Sequence, residues 1–198
     1  MKLNQLLENN DTGCVFAGPG SADLIEISSI ETDNRKCGPG SLFVCIRGYV
    51  TDGHRYAAAA AAAGAAAILA QSREALEEYG FAPGEKGPAV ILCPDTRWAL
   101  SGICAAFYGN PSEHLRLIGV TGTKGKTSTT YMIRSVYQSA GFETGLIGTI
   151  CNKIGAEEIP SERTTPEANV LQKLLSRMIE KKIGTCIMEV SSQGLHLN

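Results

Sequence analysis

Residues 115–141, LRLIGVTGTKGKTSTTYMIRSVYQSAG, restrict what this chain can fold into more than any other stretch. Leu115, Leu117, Ile118 and Val120 form a short apolar run that reads as a buried strand. A glycine turn follows, Gly122-Thr123-Lys124-Gly125-Lys126-Thr127, and then a helical pattern that ends at Gly141. A strand that turns through glycines into a helix start is suited to phosphate. The glycines let the backbone approach the anion, and the free N–H groups and helix dipole favour negative charge. Lys126 is placed to reach the outer phosphates, and the Thr127 hydroxyl to ligate Mg²⁺. Val120 stands where the usual P-loop spacing has its first glycine, so the turn is a tighter Thr-Gly-Thr-Lys-Gly-Lys-Thr. A plain β–α turn with a solvated lysine is the competing reading. The Gly-Lys-Thr triplet between a strand and a helix favours the nucleotide.

The chain of 198 residues has room for one large domain or two small ones. Its net charge of −2 gives no electrostatic case for nucleic acid or an anionic membrane as partner. Its seven cysteines include no C-x-x-C pair and no histidine at zinc spacing, and most sit in apolar runs as small hydrophobes. A reducing cytoplasm is the expected compartment. The segment MKLNQLLENN lacks the apolar core of a signal peptide, and the alanine-rich run 56–70 is too short to cross a bilayer. A soluble, cytoplasmic monomer is expected.

In chain order, residues 1–9 suggest an amphipathic helix with Leu3, Leu6 and Leu7 on one face. Residues 24–30 read as a strand, and 32–35 and 38–40 as turns. The apolar run 41–46 has the look of a strand buried on both faces. Residues 47–55 read as a polar loop, within which Asp52-Gly53-His54 is a simple turn and His54 a loop histidine. Residues 56–63, almost pure alanine, predict a helix capped by Gly64, and 65–70 the next strand. Residues 88–94 give a strand bounded by prolines. Residues 95–108 give a helix capped by Asp95, with Trp98, Ile103 and Phe107 as apolar contacts. The cluster Gly109-Asn110-Pro111-Ser112 marks a boundary, with one domain over 1–111 and a second over 112–198.

In the second domain, 143–150 predict a strand, 151–162 a loop or small hairpin, and 167–182 a helix with Pro166 near its first turn and Gly184 at its end. Residues 185–190 are a further apolar strand. The expected fold class is α/β: a small mixed α/β first domain, then a P-loop-type, parallel, doubly wound central domain. Ligands of such sheets bind at the carboxyl ends of strands, where both the Gly122 turn and the segment after Val190 lie. Glu189 closes an apolar strand, and a buried carboxylate needs a cation or several donors. Beside a phosphate loop it reads as the acidic partner of the Mg²⁺ near Thr127. Ser191 and Ser192 supply hydroxyls at the same edge. Thr164-Thr165 serves equally well as a ligand contact or as a plain helix start.

Several stretches together resemble the Mur ligases. They are the loop 119–128 (GVTGTKGKTS), 188–195 (MEVSSQGL), 32–35 (TDNR), 39–46 (PGSLFVCI), 52–56 (DGHRY) and 63–69 (AGAAAIL). Thr164-Thr165-Pro166-Glu167 with the following LQKLL points to the branch that adds the third residue of the peptide stem. The resemblance implies an ATP-dependent amide ligation in peptidoglycan synthesis. The D-glutamate carboxylate of UDP-MurNAc-L-Ala-D-Glu is phosphorylated, and a diamino acid attacks the acyl phosphate. It implies that Thr32, Asn34, Tyr49, Val50 and Thr51 line the uridine diphosphate site. Gly122, Thr123, Lys124, Gly125, Lys126, Thr127 and Ser128 hold ATP, with Lys126 as the charge clamp. Thr127 and Glu189 hold Mg²⁺, while Thr164, Thr165 and Ser191 touch the muramoyl-peptide.

This chain departs from the family pattern in three residues. Asn34 stands for a usual serine, Lys124 for a frequent asparagine and Gln193 for a frequent histidine. The sequence also stops within the family's central domain, so a fragment inactive in ligation by itself is expected. A non-catalytic UDP-sugar-binding module is the alternative. A different P-loop protein is disfavoured by the PGSLFVCIRG and DGHRY segments of the first domain.

Overall fold

Short apolar runs separated by alanine-rich or capped helices favour parallel strands, and this chain builds two mixed sheets, each with a parallel centre and antiparallel strands at one edge. The computed structural model describes residues 1–8, 13–17, 21–82, 84 and 87–196, in two units, Met1–Phe107 and Tyr108–Asn198.

The first unit opens with α1 (Leu3–Glu8), which buries Leu3 and Leu6; Asn9, the last residue of the expected helix, lies outside the described residues. The strands are β1 (Val15–Phe16), β2 (Ser29–Glu31), β3 (Ser41–Val44), β4 (Ala67–Ala70) and β5 (Ala89–Leu92), in sheet order β1-β5-β4-β3-β2. All pairs are parallel except β1 with β5. The strand expected over 24–30 starts only at Ser29, because 22–24 close into a 3₁₀ turn and Glu26 makes a single bridge to Lys2. Helix α2 (Ala57–Ala62) buries Ala57 and Ala60 against Phe43, Ile68 and Val90, which side chains this short permit. Helix α3 (Arg73–Glu77) was not legible; its N-cap Ser72 accepts from Ala75 N–H at 3.1 Å. In α4 (Thr96–Phe107) Asp95 accepts from the N–H groups of Arg97 and Trp98, as its position predicts. The buried face is Ala99, Leu100, Ile103 and Cys104, whereas Trp98 is 53% exposed and is not the expected core contact.

The second unit carries β6 (Arg116–Val120), α5 (Lys126–Ser139), β7 (Gly145–Ile147), β8 (Cys151–Ile154), β9 (Glu157–Pro160), α6 (Ala168–Glu180), β10 (Thr185–Glu189) and α7 (Ser192–His196). The sheet order is β6-β10-β7-β8-β9. Its β6, β10 and β7 are parallel, and the β8–β9 hairpin extends them antiparallel. Helix α6 packs Leu174, Leu175 and Met178 onto Ile147, Ile154 and Cys186. Gly145 is required beneath it, since a Cβ there would meet Met178 Sδ at 2.3 Å. The expected burial of β6 is corrected. Among the described residues it pairs with β10 alone and leaves Leu117 39% exposed.

Candidate functional site

The turn after β6 is shaped by two glycines with positive φ, Gly122 at 147° and Gly125 at 80°. Gly125 is the N-cap of α5 and offers no side chain to the first helical N–H groups, which leaves an open, positively polarised helix start. Lys126 and Thr127 are the first two helical residues. The Lys126 ammonium folds back over the turn and donates to the Gly122 carbonyl at 2.8 Å. Thr123, Lys124 and Ser128 lie on the same turn and first helical position group, all within the second unit.

Glu189 ends β10 beside this turn and is 1% exposed. Its register partner across the parallel pair is Val120, the last residue before the turn. Its Oε2 accepts the Thr127 hydroxyl at 2.9 Å and the Thr149 hydroxyl at 3.2 Å, and its Oε1 accepts Thr149 N–H at 2.9 Å. Three donors compensate the burial of the carboxylate. Gly148 makes the approach possible, because a Cβ there would lie 2.4 Å from Glu189 Oε1.

The Thr164-Thr165 pair turns toward the end of β10 and Thr149 rather than capping α6, whose N-cap is Glu167. The Thr164 hydroxyl lies 3.0 Å from that of Thr149. The Thr165 hydroxyl donates to the Glu189 carbonyl at 3.0 Å and accepts Ser191 N–H at 2.9 Å. Ser191 Oγ in turn accepts Gly194 N–H at 3.0 Å. Thr127, Glu189, Thr164, Thr165 and Ser191 therefore form one hydrogen-bonded group at the carboxyl edge of β10. Gly148 and Thr149 belong to it and were missed by sequence reasoning. Their signal was available: they follow the apolar run 145–147 at a strand's carboxyl end, the placement that drew attention to Glu189.

The remaining expected residues lie in the first unit. Thr32 and Asn34 follow β2, and Tyr49, Val50 and Thr51 follow β3, the neighbouring strand. Tyr49 and Val50 are 79% and 97% exposed. Asp33 caps the 3₁₀ turn at 34–36, accepting Arg35 N–H, and its bond from the Arg35 side chain holds its carboxyl at about 2. His54, expected as a loop histidine, is fully buried, because its ring bridges the Asp52 carboxylate and the Gln71 backbone.

Among the described residues no three His, Cys, Asp or Glu side chains gather as a metal cluster. Thr127 and Glu189 present hard oxygen donors beside the glycine turn. That fits a Mg²⁺ held by one or two protein oxygens with phosphate and water completing its shell.

Comparison with known proteins bears on both units. Residues 26–108 match the model described as Mur ligase family, catalytic domain, and residues 120–198 that described as Mur ligase middle domain. The UDP-N-acetylmuramoyl-L-alanyl-D-glutamate–2,6-diaminopimelate ligase of Bacillus velezensis is 48% identical over 199 residues, covering 100% of this chain and 38% of that protein. Its counterpart from Bacillus licheniformis is 45% identical over 197 residues, with the same coverage of 100% and 38%. A solved structure of a ligase of the same name superposes with a TM-score of 0.72 at 26% identity, over 91% of this chain and 35% of that one. MurF from Acinetobacter baumannii shares the fold, with a TM-score of 0.63 at 22% identity over 96% of this chain and 36% of that one. The chain thus spans little more than a third of the length of these relatives.

Proposed function

This chain belongs to the Mur ligase family, and on that premise we propose that it supplies the UDP-MurNAc-dipeptide and ATP sites of a cytoplasmic tripeptide synthetase. In this reading Thr32, Asn34, Tyr49, Val50 and Thr51 take the uridine diphosphate, and residues 122–128 take the ATP phosphates. Thr164, Thr165 and Ser191 face the muramoyl-peptide. The γ-phosphoryl group passes to the D-glutamate carboxylate, releasing ADP. The amine of a diamino acid, 2,6-diaminopimelate in the named relatives, then displaces phosphate to form the amide.

The observation that carries this is the bond from Thr127 to the buried Glu189, which ties the phosphate turn to the end of the neighbouring strand. Lys126 offsets charge on the transferring group after leaving the Gly122 carbonyl, and the first N–H groups of α5 receive phosphate oxygens. Glu189 orients the Thr127 hydroxyl, and Thr149 keeps that carboxylate in place. A Mg²⁺ at Thr127 and Glu189 would supply neutralisation of the phosphate charge. The two departures in this unit fit without conflict: Lys124 adds a cation to the turn, and Gln193 lies in α7, past Ser191.

Isothermal titration with ATP and Mg²⁺ tests the reading. Lys126→Ala is expected to weaken ATP by roughly tenfold to a hundredfold, the worth of one charge-assisted contact. Unchanged affinity would remove the turn from the nucleotide site. UDP-MurNAc-dipeptide binding with no ATP binding would favour the UDP-sugar module instead.

A further inference from the structure

The uridine diphosphate proposed for the first unit is anionic, yet its five assigned contacts, Thr32, Asn34, Tyr49, Val50 and Thr51, are all uncharged. A diphosphate leaving bulk water needs a cation or a dense set of donors. Three guanidinium groups stand on the segments concerned. Arg35 spends Nε and Nη2 on Asp33, and Arg55 lies over the Tyr56 ring at 5.4 Å. Arg47 gives only Nε, to Asp52 Oδ2 at 2.9 Å, and its two terminal nitrogens have no acceptor among the described residues. Its side chain is 57% exposed, and it opens the loop whose tip carries Tyr49, Val50 and Thr51.

That loop is held from beneath. Gly48 N–H donates to Thr51 O and Gly53 N–H to Ile46 O, closing it on itself. Asp52 Oδ1 accepts His54 N–H at 3.0 Å and faces His54 Nδ1 at 2.5 Å. His54 Nε2 accepts Gln71 N–H at 3.0 Å, just past β4. Since a backbone N–H can only donate, the ring hydrogen is on Nδ1 and is given to Asp52. Burial pulls the Asp52 pKa upward, but the bonds from His54 and Arg47 outweigh it and keep the carboxyl below its ordinary value. A buried imidazole, an ionised carboxylate that is 13% exposed and a guanidinium that is 57% exposed thus run outward from the end of β4.

We infer that Arg47 binds the diphosphate of the uridine nucleotide, and that Asp52 and His54 are the positioning residues that aim its guanidinium. This rests on the reading that the first unit takes a uridine nucleotide.

The test titrates the 198-residue chain with uridine and with UDP, following the Gly48 and Thr51 amide signals by NMR so that nucleotide at the other unit's turn is not counted. In the unaltered chain UDP binds more tightly than uridine, and the difference shrinks with added salt. Arg47→Ala weakens UDP by about tenfold to a hundredfold and leaves uridine unchanged. Arg47→Lys, which keeps the charge without the fork, falls between. Asp52→Asn weakens UDP severalfold in the unaltered chain and not at all in the Arg47→Ala background, a non-additivity that a general loss of loop structure does not produce. Equal UDP affinity in Arg47→Ala and the unaltered chain, or an equal loss for uridine and UDP, would overturn the role of Arg47 alone. No response of Gly48 and Thr51 to UDP in the unaltered chain would overturn the uridine reading and this inference together.

Discussion

Each unit keeps a buried ionisable side chain at the carboxyl edge of its sheet, His54 in the first and Glu189 in the second. The surroundings give them different work. His54 has both ring nitrogens engaged inside the protein, by Asp52 and by Gln71 N–H, and reaches the surface through Asp52 and Arg47. Glu189 takes its donors from Thr127 and Thr149, which stand at the edge proposed for the nucleotide. A brace hidden behind its loop should show mostly in stability. A carboxylate one bond from the proposed phosphate turn should show mostly in binding.

The largest effect is expected at the brace. His54→Ala strands the Gln71 N–H, takes one of three donors from the Asp52 carboxylate and opens a cavity, costing about 3–5 kcal/mol. Trp98, the chain's single tryptophan, lies in the first unit, so its fluorescence during urea unfolding reports that unit. A loss below about 1 kcal/mol would mean the ring is not the brace its bonds describe. Glu189→Gln is the opposite case. One acceptor oxygen survives for the threonine hydroxyls, so stability falls by about 1–2 kcal/mol while ATP affinity falls at least about tenfold. If the two variants showed the same ratio of stability loss to binding loss, the contrast between brace and ligand-facing group would fail.

How much of this was legible follows from what sequence patterns encode. The Gly-Lys-Thr turn announces itself because glycine, lysine and threonine at that spacing are costly to place without use, and the strand runs before Glu189 and the turn are plainly apolar. The runs 41–46 and 115–120 look alike, yet β3 is buried throughout between β2 and β4, while β6 has one neighbour among the described residues and stays half open there. Neighbour number is a property of the sheet, not of the strand. The burial of His54 is invisible in the local sequence for a related reason. Its burial depends on Gln71, seventeen residues away, and no local pattern reports that bond. Thr149 was overlooked because a lone threonine after a short strand has no periodicity, and only the register of β7 against β10 brings it to Glu189.

A smaller effect distinguishes the units by pH. The Arg35 side-chain bond holds the Asp33 carboxyl at about 2, below the ordinary 3.8, so its folded pKa is depressed. A depressed carboxyl contributes stability above its unfolded pKa and loses it as pH falls toward its folded one, here from about 4 to about 2. Asp33→Asn should therefore be less stable than the unaltered chain at pH 6, by at most about 1 kcal/mol for so exposed a pair, and equal to it near pH 2. Urea midpoints read by Trp98 at the two pH values check this, and a gap that persists at low pH would assign the difference to something other than the charge.

The smallest effect compares how helices end in the two units. Helix α2 closes with Gly64 at φ 98° and Ala65 N–H bonded to Ala60 O, the six-to-one bond of a Schellman ending. Helix α5 ends the same way at Gly141, with Phe142 N–H on Tyr137 O. Helix α6 repeats the bond, Ile183 N–H to Met178 O at 2.9 Å, but its left-handed residue is Lys182 at φ 60°, two positions before the Gly184 that the sequence suggested as the stop. The buried Ile183 explains the position, since it must turn inward onto Met178 and Cys186 to join the core. A lysine there carries the Cβ penalty of the left-handed region, and glycine would relieve it at the expense of unfolded-chain entropy. Lys182→Gly is therefore expected to stabilise the second unit by about 0.5 kcal/mol. Gly64→Ala in the first unit should destabilise by about 1 kcal/mol, since its new Cβ takes on the same left-handed penalty. Opposite signs in paired thermal melts would show that one backbone conformation, met by different residues, sets both endings; a destabilising Lys182→Gly would show that the lysine side chain contributes more than its backbone strain removes.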